Sequence, residues 1–414
     1  MKFILFLFLL LSQIGRAAFS NYNSILVGDL ASGLSGAGTA IEGDISSASF
    51  YNPALVAAMQ GKSFSAAVGI YKKFDTVYNQ KEDFLAAPLR INKGYFRSLP
   101  SATGQVIDFH GYKIALSIVT PDYDQFSGKV FSEGTRTKNM NFTDESLWVG
   151  GSIAKELNES QRVGITFYYT ARNLSKQEIE RDVPTASDLS YRSLDKVIKE
   201  NAVVSILGFH EKINDQWSWG TSIRTTLMAI SGKGDLKETL LTASGGSVTL
   251  ETPETSGINS KFFIPTRFNL GFSYRPSSDW LWSADIHAHE GYKYYDLKGS
   301  DAATLVHNRF VTNLSVGGEK TYQDWLKFRA GVFTNFSAHP DPNPNLSVEQ
   351  MDHVDMLGFS ANVSLISEKK IAYTFGGYYS GGWGRSLQKN FNNFEVITKK
   401  HNIFTMLVGT SFFF

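Results

Sequence analysis

The sequence predicts an all-β fold: a transmembrane antiparallel β-barrel of about fourteen strands with an N-terminal hatch in its lumen. Three observations predict it. Apolar and polar residues alternate with period two through most of the chain after residue 60. The connections between the alternating segments are short and long by turns. The segment ahead of the first strand lacks alternation and is too short to fold alone.

The chain opens with Lys2 and an apolar run over residues 3–11, too short for a membrane span. Gly15-Arg16-Ala17 then places small residues where a signal peptidase reads them. A cleaved signal peptide over residues 1–17 is expected, with a mature start near Ala18 and export to the outer membrane. The chain has 0 cysteines, which excludes disulfides, thiol chemistry and cysteine metal sites. A net charge of +1 carries no footprint of a nucleic-acid partner. Aromatic residues make up 14% of a chain whose mean hydropathy is slightly polar, as a barrel with aromatics outside and polar residues inside requires.

Residues 18–60 are rich in Gly, Ala and Ser and read as a plug, and residues 61–414 read as the barrel. In residues 267–275, Phe268, Leu270, Phe272 and Tyr274 alternate with Arg267, Asn269, Gly271, Ser273 and Arg275. In residues 162–172, Val163, Ile165, Phe167 and Tyr169 alternate with Gly164, Thr166, Tyr168 and Thr170. The small and polar face suits a lumen. Trp217, Trp280, Trp282, Trp325 and Tyr373 sit near segment ends, as in an interfacial girdle. The last strand ends in Phe414, the terminal aromatic by which barrels are handed to the assembly machinery.

Short linkers such as His110-Gly111, Asn214-Asp215 and Gln323-Asp324 carry turn residues and are expected on the periplasmic side. Long linkers, among them 123–144, 176–199 and 231–260, are expected outside. Within them, residues 187–200 read as a short amphipathic helix carrying Leu189, Leu194, Val197 and Ile198, and Leu240, Leu241 and Val248 add apolar surface. The third strand is expected to end at Thr120-Pro121, since proline cannot donate to a ladder.

The plug segment reads SGLSGAGTAIEGDISSASFYNPALVAAMQG. Its Gly-Ala-Gly run and Asn52-Pro53-Ala54 triplet resemble the hatch of the FadL/TodX/OmpP1 family of outer-membrane transporters for long-chain fatty acids and aromatic hydrocarbons. Residues 264–286, with a proline before an alternating strand and an Arg-Pro turn, are similar to that family's middle hairpin. The resemblance implies a fourteen-stranded monomer without a cofactor. A hydrophobic small molecule would dock among the outer loops, pass to a lumen pocket beside the hatch, and leave sideways into the outer-membrane lipid through a kink in the third strand. It assigns gating to Tyr51, Asn52, Pro53 and Ala54, and a lateral gate to Thr120 and Pro121.

By parity Arg267, Arg275, Asp285, Arg162, Arg172, Arg224, Lys327, Arg329 and Glu319 face the lumen, either touching a ligand head group or forming a structural ion network. Asp285, His287 and His289 share one face, a spacing that acid–base or metal chemistry uses, but no nucleophile motif and no third metal ligand accompanies them. A non-enzyme without a metal is expected. The alternatives are a receptor or adhesion barrel that uses its loops alone, and a general porin, against which the plug argues.

Overall fold

The computed structural model describes residues 21–59, 63–79, 89–95, 99–185, 187–260, 264–297, 299–300, 302–346, 348–390 and 393–413. The expected signal peptide, residues 1–17, and the terminal Phe414 lie outside the described residues.

Fourteen strands form the wall. They are β1 (Ser63–Asn79), β2 (Leu99–Phe109), β3 (Tyr112–Glu133), β4 (Arg136–Glu156), β5 (Gln161–Asp182), β6 (Leu189–Lys212) and β7 (Trp217–Ser244). They continue as β8 (Arg267–Ser277), β9 (Trp280–His289), β10 (Val311–Gln323), β11 (Leu326–Asn335), β12 (His353–Ile366), β13 (Ile371–Asn390) and β14 (Asn393–Phe413). Each pairs antiparallel with the next. β14 returns to β1, from Ser63↔Phe413 to Asn79↔Thr398, and closes the barrel.

The alternation is inverted relative to a water-soluble barrel. On β8, Arg267, Asn269, Gly271 and Ser273 are buried, whereas Phe268 and Phe272 are exposed. Leu116, Val149, Phe167, Val332, Phe359 and Phe375 are likewise exposed on the outer face. An apolar exterior around a polar interior is the lipid-facing arrangement. Phe109, Tyr112, Trp217, Trp280, Trp325 and Tyr373 ring the short-turn end.

The short turns follow their chemistry. His110 and Gly111 have φ of 48° and 80°, the two positive values that a tight hairpin needs. Asn214 closes its turn by accepting the N–H of Gln216 at 2.9 Å and of Trp217 at 2.8 Å.

The opposite end departs from the expected loops. Only Gly134 and Thr135 separate β3 from β4. The expected helix over residues 187–200 is strand, because β6 starts at Leu189 and pairs on both sides with β5 and β7. A helix of that length standing alone would be marginal, and two open ladders satisfy every backbone group. β7 reaches 28 residues against 10 for β9, so β4 to β7 rise as a tall wall beyond the apolar band. A three-stranded sheet, Tyr292–Tyr295, Thr304–Asn308 and Glu349–Gln350, is built from two of the remaining outer connections.

The third strand is also corrected. It does not end at Thr120-Pro121 but runs on to Glu133. The register on β4 shifts between Val119↔Trp148 and Asp122↔Ser146, and this bulge absorbs the proline.

Ion networks hold the lumen. Arg329 donates to Glu319 at 2.6 Å, with Lys327 on the same carboxylate at 3.2 Å. Arg172 pairs with Asp144 at 2.6 Å and Glu200 at 2.7 Å. Glu319→Ala leaves Arg329 buried without its counter-charge and should cost about 3–5 kcal/mol in urea unfolding of the lipid-reconstituted barrel. Asp279→Ala, which removes the exposed partner of Lys320, should cost less than about 1 kcal/mol. Equal costs would refute the assignment of the lumen network as structural.

Candidate functional site: the hatch and the lumen cavities

Residues 21–59 fill the lumen and are almost wholly buried. Two short helices, α1 (Leu30–Gly33) and α2 (Ile45–Tyr51), precede a 3-10 turn, Pro53–Ala58. Each start is capped by a side chain. Asp29 accepts from Leu30 N–H at 2.9 Å, Asp44 from Ser47 N–H at 3.2 Å, and Asn52 from Ala54 N–H at 3.1 Å. Asp44 also accepts from Ala31 N–H at 2.8 Å and so ties the two helices together. Burial first, and the charge of Asp29 second, push its carboxyl up to about 6. Its ionisation at neutral pH is therefore a cost that these hydrogen bonds offset.

The Asn-Pro-Ala triplet fastens the hatch to the wall. The Asn52 amide donates to Thr39 O at 2.8 Å and to Phe209 O on β6 at 2.9 Å. Both polar atoms of its side chain are bonded inside a fully buried site. Gly208 and Gly164 let the turn lie flat on the wall. A Cβ at Gly208 would strike the Asn52 oxygen and stand 2.8 Å from the Pro53 ring, and one at Gly164 would strike Pro53 O. The main chain of Tyr51 is tied to β7, accepting from the Ser222 hydroxyl at 2.5 Å, and its hydroxyl accepts from Val27 N–H at 3.3 Å. Ala54 is fully buried under the same turn.

Thr120 and Pro121 stand where the described ladder between β2 and β3 stops. β2 pairs with β3 only from Phe109↔Tyr112 to Ala102↔Val119. The separate strand Leu89–Tyr95 pairs with the upper half of β1, and among the described residues it makes no ladder with β3. Among the described residues the pairing on this side of β3 therefore has a seam that starts beside the bulge. Inside it lies a small cavity lined by Tyr22, Phe50, Pro121, Asp122, Trp148, Arg224, Arg267 and His289. It offers about 20 Å³, room for about one water. An apolar strip of Val119, Trp148, Tyr168, Val204 and Ile206 runs beside it and packs on Val27, Phe50 and Tyr51 of the hatch.

Of the charged candidates, Arg267 faces this cavity. It donates to Phe50 O at 3.0 Å and lies 4.5 Å from the Phe50 ring centroid. Arg224 donates to Pro265 O at 3.3 Å and lies 5.4 Å from the Trp148 ring centroid. Among the described residues neither is in an ion pair, and the Nε of each has no hydrogen-bond partner. Arg275 is not brought here. It is exposed near the short-turn end, where its N–H donates to Gln216 O at 2.7 Å. Asp285 does not pair with an arginine either, and instead accepts from Thr39 N–H at 2.8 Å and holds the hatch. His287 bonds to Asn269 at 2.9 Å, and His289 stacks on Tyr22 at 4.2 Å. Among the described residues no cluster of three potential ligands could hold a metal.

Further cavities adjoin one another between this point and the outer connections. An inner cavity of about 120 Å³ is lined by Tyr78, Phe126, Met140, Leu174, Ile198, Arg172, Lys176, Lys399 and the three-stranded sheet. A small cavity at Asn21, Ser24, Asp122 and His401 lies between it and the seam, sharing Asp124 and Lys399 with the inner cavity and Asp122 with the seam. An outer cleft of about 790 Å³ is lined by Leu194, Leu236, Ile258, Tyr295 and Phe394. Two of the apolar residues noted from sequence take part, Leu194 in the cleft and Ile198 in the inner cavity, whereas Val248 is exposed elsewhere.

Sequence reasoning missed Tyr22, Asn21 and Asn23. Asn21 donates to Asn335 O at 2.7 Å and Val354 O at 2.9 Å, and the Asn23 N–H donates to the Asn335 side-chain oxygen at 2.9 Å. The available signal was the Asn-Tyr-Asn run itself, three hydrogen-bonding side chains ahead of an otherwise small-residue plug.

Asn52→Ala strands two buried carbonyls and one N–H. Each unsatisfied group costs about 1–3 kcal/mol, so hydrogen exchange of the hatch amides should accelerate on the order of a hundredfold while the wall amides stay protected. Unchanged hatch exchange would show that the triplet does not fasten the hatch.

No protein-family model and no curated protein sequence matches the chain. Solved structures do. A Pseudomonas aeruginosa FadL homologue is similar over 96% of this chain and 99% of its own, with a TM-score of 0.72 at 14% identity. The Pseudomonas putida toluene transporter TodX is similar over 94% of this chain and 98% of its own, with a TM-score of 0.66 at 14% identity. The Ralstonia pickettii toluene transporter TbuX is similar over 95% of this chain and all of its own, with a TM-score of 0.60 at 15% identity. The plugged, closed barrel described above is therefore the fold that the hatch motif implied, the FadL-type fold of fourteen strands around an N-terminal hatch.

Proposed function

We propose that this chain is an outer-membrane channel through which hydrophobic small molecules pass down their own gradient, entering among the outer connections and leaving sideways at Pro121. The observation that carries this reading is the run of cavities from the outer cleft through the lumen to the seam. The apolar strip beside the hatch gives a nonpolar chain a surface to follow at the level where the wall pairing stops. The transporters with this fold named above support the same reading. Tyr51, Asn52, Pro53 and Ala54 hold the hatch shut, and Thr120-Pro121 mark the lateral gate. The chain acts as a single barrel, is exported by its signal peptide, and is inserted through recognition of Phe414.

The preferred cargo carries a carboxylate. Arg224 and Arg267 are buried cations that face the cavity at the seam and, among the described residues, sit in no direct ion pair, with Asp122 the one carboxylate lining that cavity. Burying a charge unpaired is costly, and a carboxylate head group arriving there would receive charge-assisted hydrogen bonds. Long-chain fatty acids fit this requirement better than toluene or an alkane does.

The test is uptake by liposomes holding the purified barrel, with oleate, an alkane, toluene and glucose. Saturable uptake of oleate is expected, without uptake of glucose. Arg224→Met and Arg267→Met should each lower oleate uptake about tenfold, the equivalent of one lost charge-assisted hydrogen bond, and leave toluene unchanged. Unsaturable glucose uptake would identify a general porin. A folded barrel that passes none of the four would overturn the transport reading in favour of a receptor role for the outer connections.

A further inference from the structure

The three-stranded sheet built from the outer connections stands between two cavities. Tyr295, on one face, lines the outer cleft, and its neighbour Tyr294, pointing to the other face, lines the inner cavity with Val306 and Met351. Its strands pair from Tyr292↔Asn308 to Tyr295↔Leu305, with Thr304↔Glu349 alongside. A molecule that moves directly from the cleft to the inner cavity meets this sheet.

The sheet is latched to the wall by ion pairs and one apolar peg. Lys196 on β6 holds Asp296 at 2.6 Å and Thr304 at 2.9 Å. Lys176 on β5 holds Glu349, and Lys399 on β14 holds Asp352 at 2.7 Å. Leu297 is fully buried against Leu174 and Ile198, where Gly234 leaves room for it. The inner face is joined to the hatch as well. Asn308 donates to the Tyr22 hydroxyl at 2.6 Å and to the Tyr292 hydroxyl at 2.8 Å, and the two hydroxyls lie 3.2 Å apart. Tyr22 in turn stacks on His289 beside the seam cavity.

We infer that this sheet is an outer gate, and that Tyr22 couples it to the hatch, so that release of the gate loosens the hatch N-terminus at the lateral exit. The inner cavity of about 120 Å³ is smaller than the roughly 300 Å³ or more of an ordinary ligand pocket, so it takes a long-chain ligand only when the sheet shifts. Ion-pair latches around an apolar peg suit such a part. The pairs fix the closed position, and an apolar ligand replaces the contacts that Leu297 loses. The gate rests on the transport reading above, and the coupling through Tyr22 adds a second, separable claim.

Ser260 and Leu297 form an antiparallel bridge, a geometry that places Cα atoms about 4.5–5.5 Å apart and within disulfide reach. The natural chain has 0 cysteines, so the variant carrying Ser260→Cys and Leu297→Cys can form only that bond. Oleate and toluene uptake into liposomes would be measured oxidised and reduced. The oxidised form should be slowed at least about tenfold and recover on reduction, as expected of a locked lid. Hydrogen exchange at residues 21–27 should also slow in the oxidised form. Lys196→Met, which removes a latch without adding a bond, should speed uptake by about threefold or more and decides the matter if the disulfide variant does not fold. Oxidised uptake equal to reduced uptake, or an unaltered rate in Lys196→Met, would overturn the gate. Slowed uptake with unchanged exchange at residues 21–27 would overturn the coupling alone. A natural chain that passes neither solute would instead overturn the transport reading.

Discussion

Backbone groups that face hydrocarbon have no water to bond to, so every N–H and C=O in the membrane-crossing wall must find its partner inside the wall. That requirement closes β14 onto β1 and forces the wall to be continuous. It also decides where an opening can be. A gap costs least where a donor is already missing and the register already slips, and Pro121 at the β3 bulge supplies both.

The hatch obeys the same accounting from the other side. A plug inside a barrel must satisfy its own backbone without a sheet of its own. Short helices do part of this, and side chains do the rest, with Asp29, Asp44 and Asn52 each capping one start. Wall contact then requires close approach of main chain to main chain. The wall provides glycine at Gly164, Gly208 and Gly220, and a Cβ at Gly220 would meet the Asn52 amide at 2.7 Å. The glycine-rich lumen face of the strands and the small residues of the hatch are thus two halves of one contact.

The strands were legible because period two survives whatever lines the lumen, and the hatch motif because Asn52-Pro53-Ala54 is a local solution that needs only its own neighbours. What sequence could not show was tertiary. Residues 187–200 have a helical spacing of leucine and isoleucine, yet they are strand, because β5 and β7 present ladders on both sides. Parity put Arg267, Arg275 and Asp285 on one side of the wall, but parity carries no height. Arg275 sits near the short-turn end, whereas Arg267 lies level with Phe50. Glu319 found its arginine because Arg329 is its Cα partner on the next strand, while Asp285 was claimed by the hatch backbone at Thr39, a contact that strand alternation cannot foresee.

Charge placement along the lumen separates holding from handling. Arg172, Arg329, Lys138 and Lys196 each face carboxylates at close range, and such sites resist change because breaking a buried pair leaves a bare charge. Arg224 and Arg267 differ in kind, resting on aromatic rings and single carbonyls in the cavity beside Pro121. A ring face stabilises a cation without neutralising it, so the site stays attractive to an anion while remaining tolerable when empty. A carboxylate with an apolar tail would meet its counter-charge only after crossing the apolar strip, and its tail would by then lie against the seam toward lipid. The order of the surfaces, ion-latched outer sheet, apolar strip and then aromatic-backed arginines beside Pro121, therefore offers an amphipathic molecule contacts for both its tail and its head group.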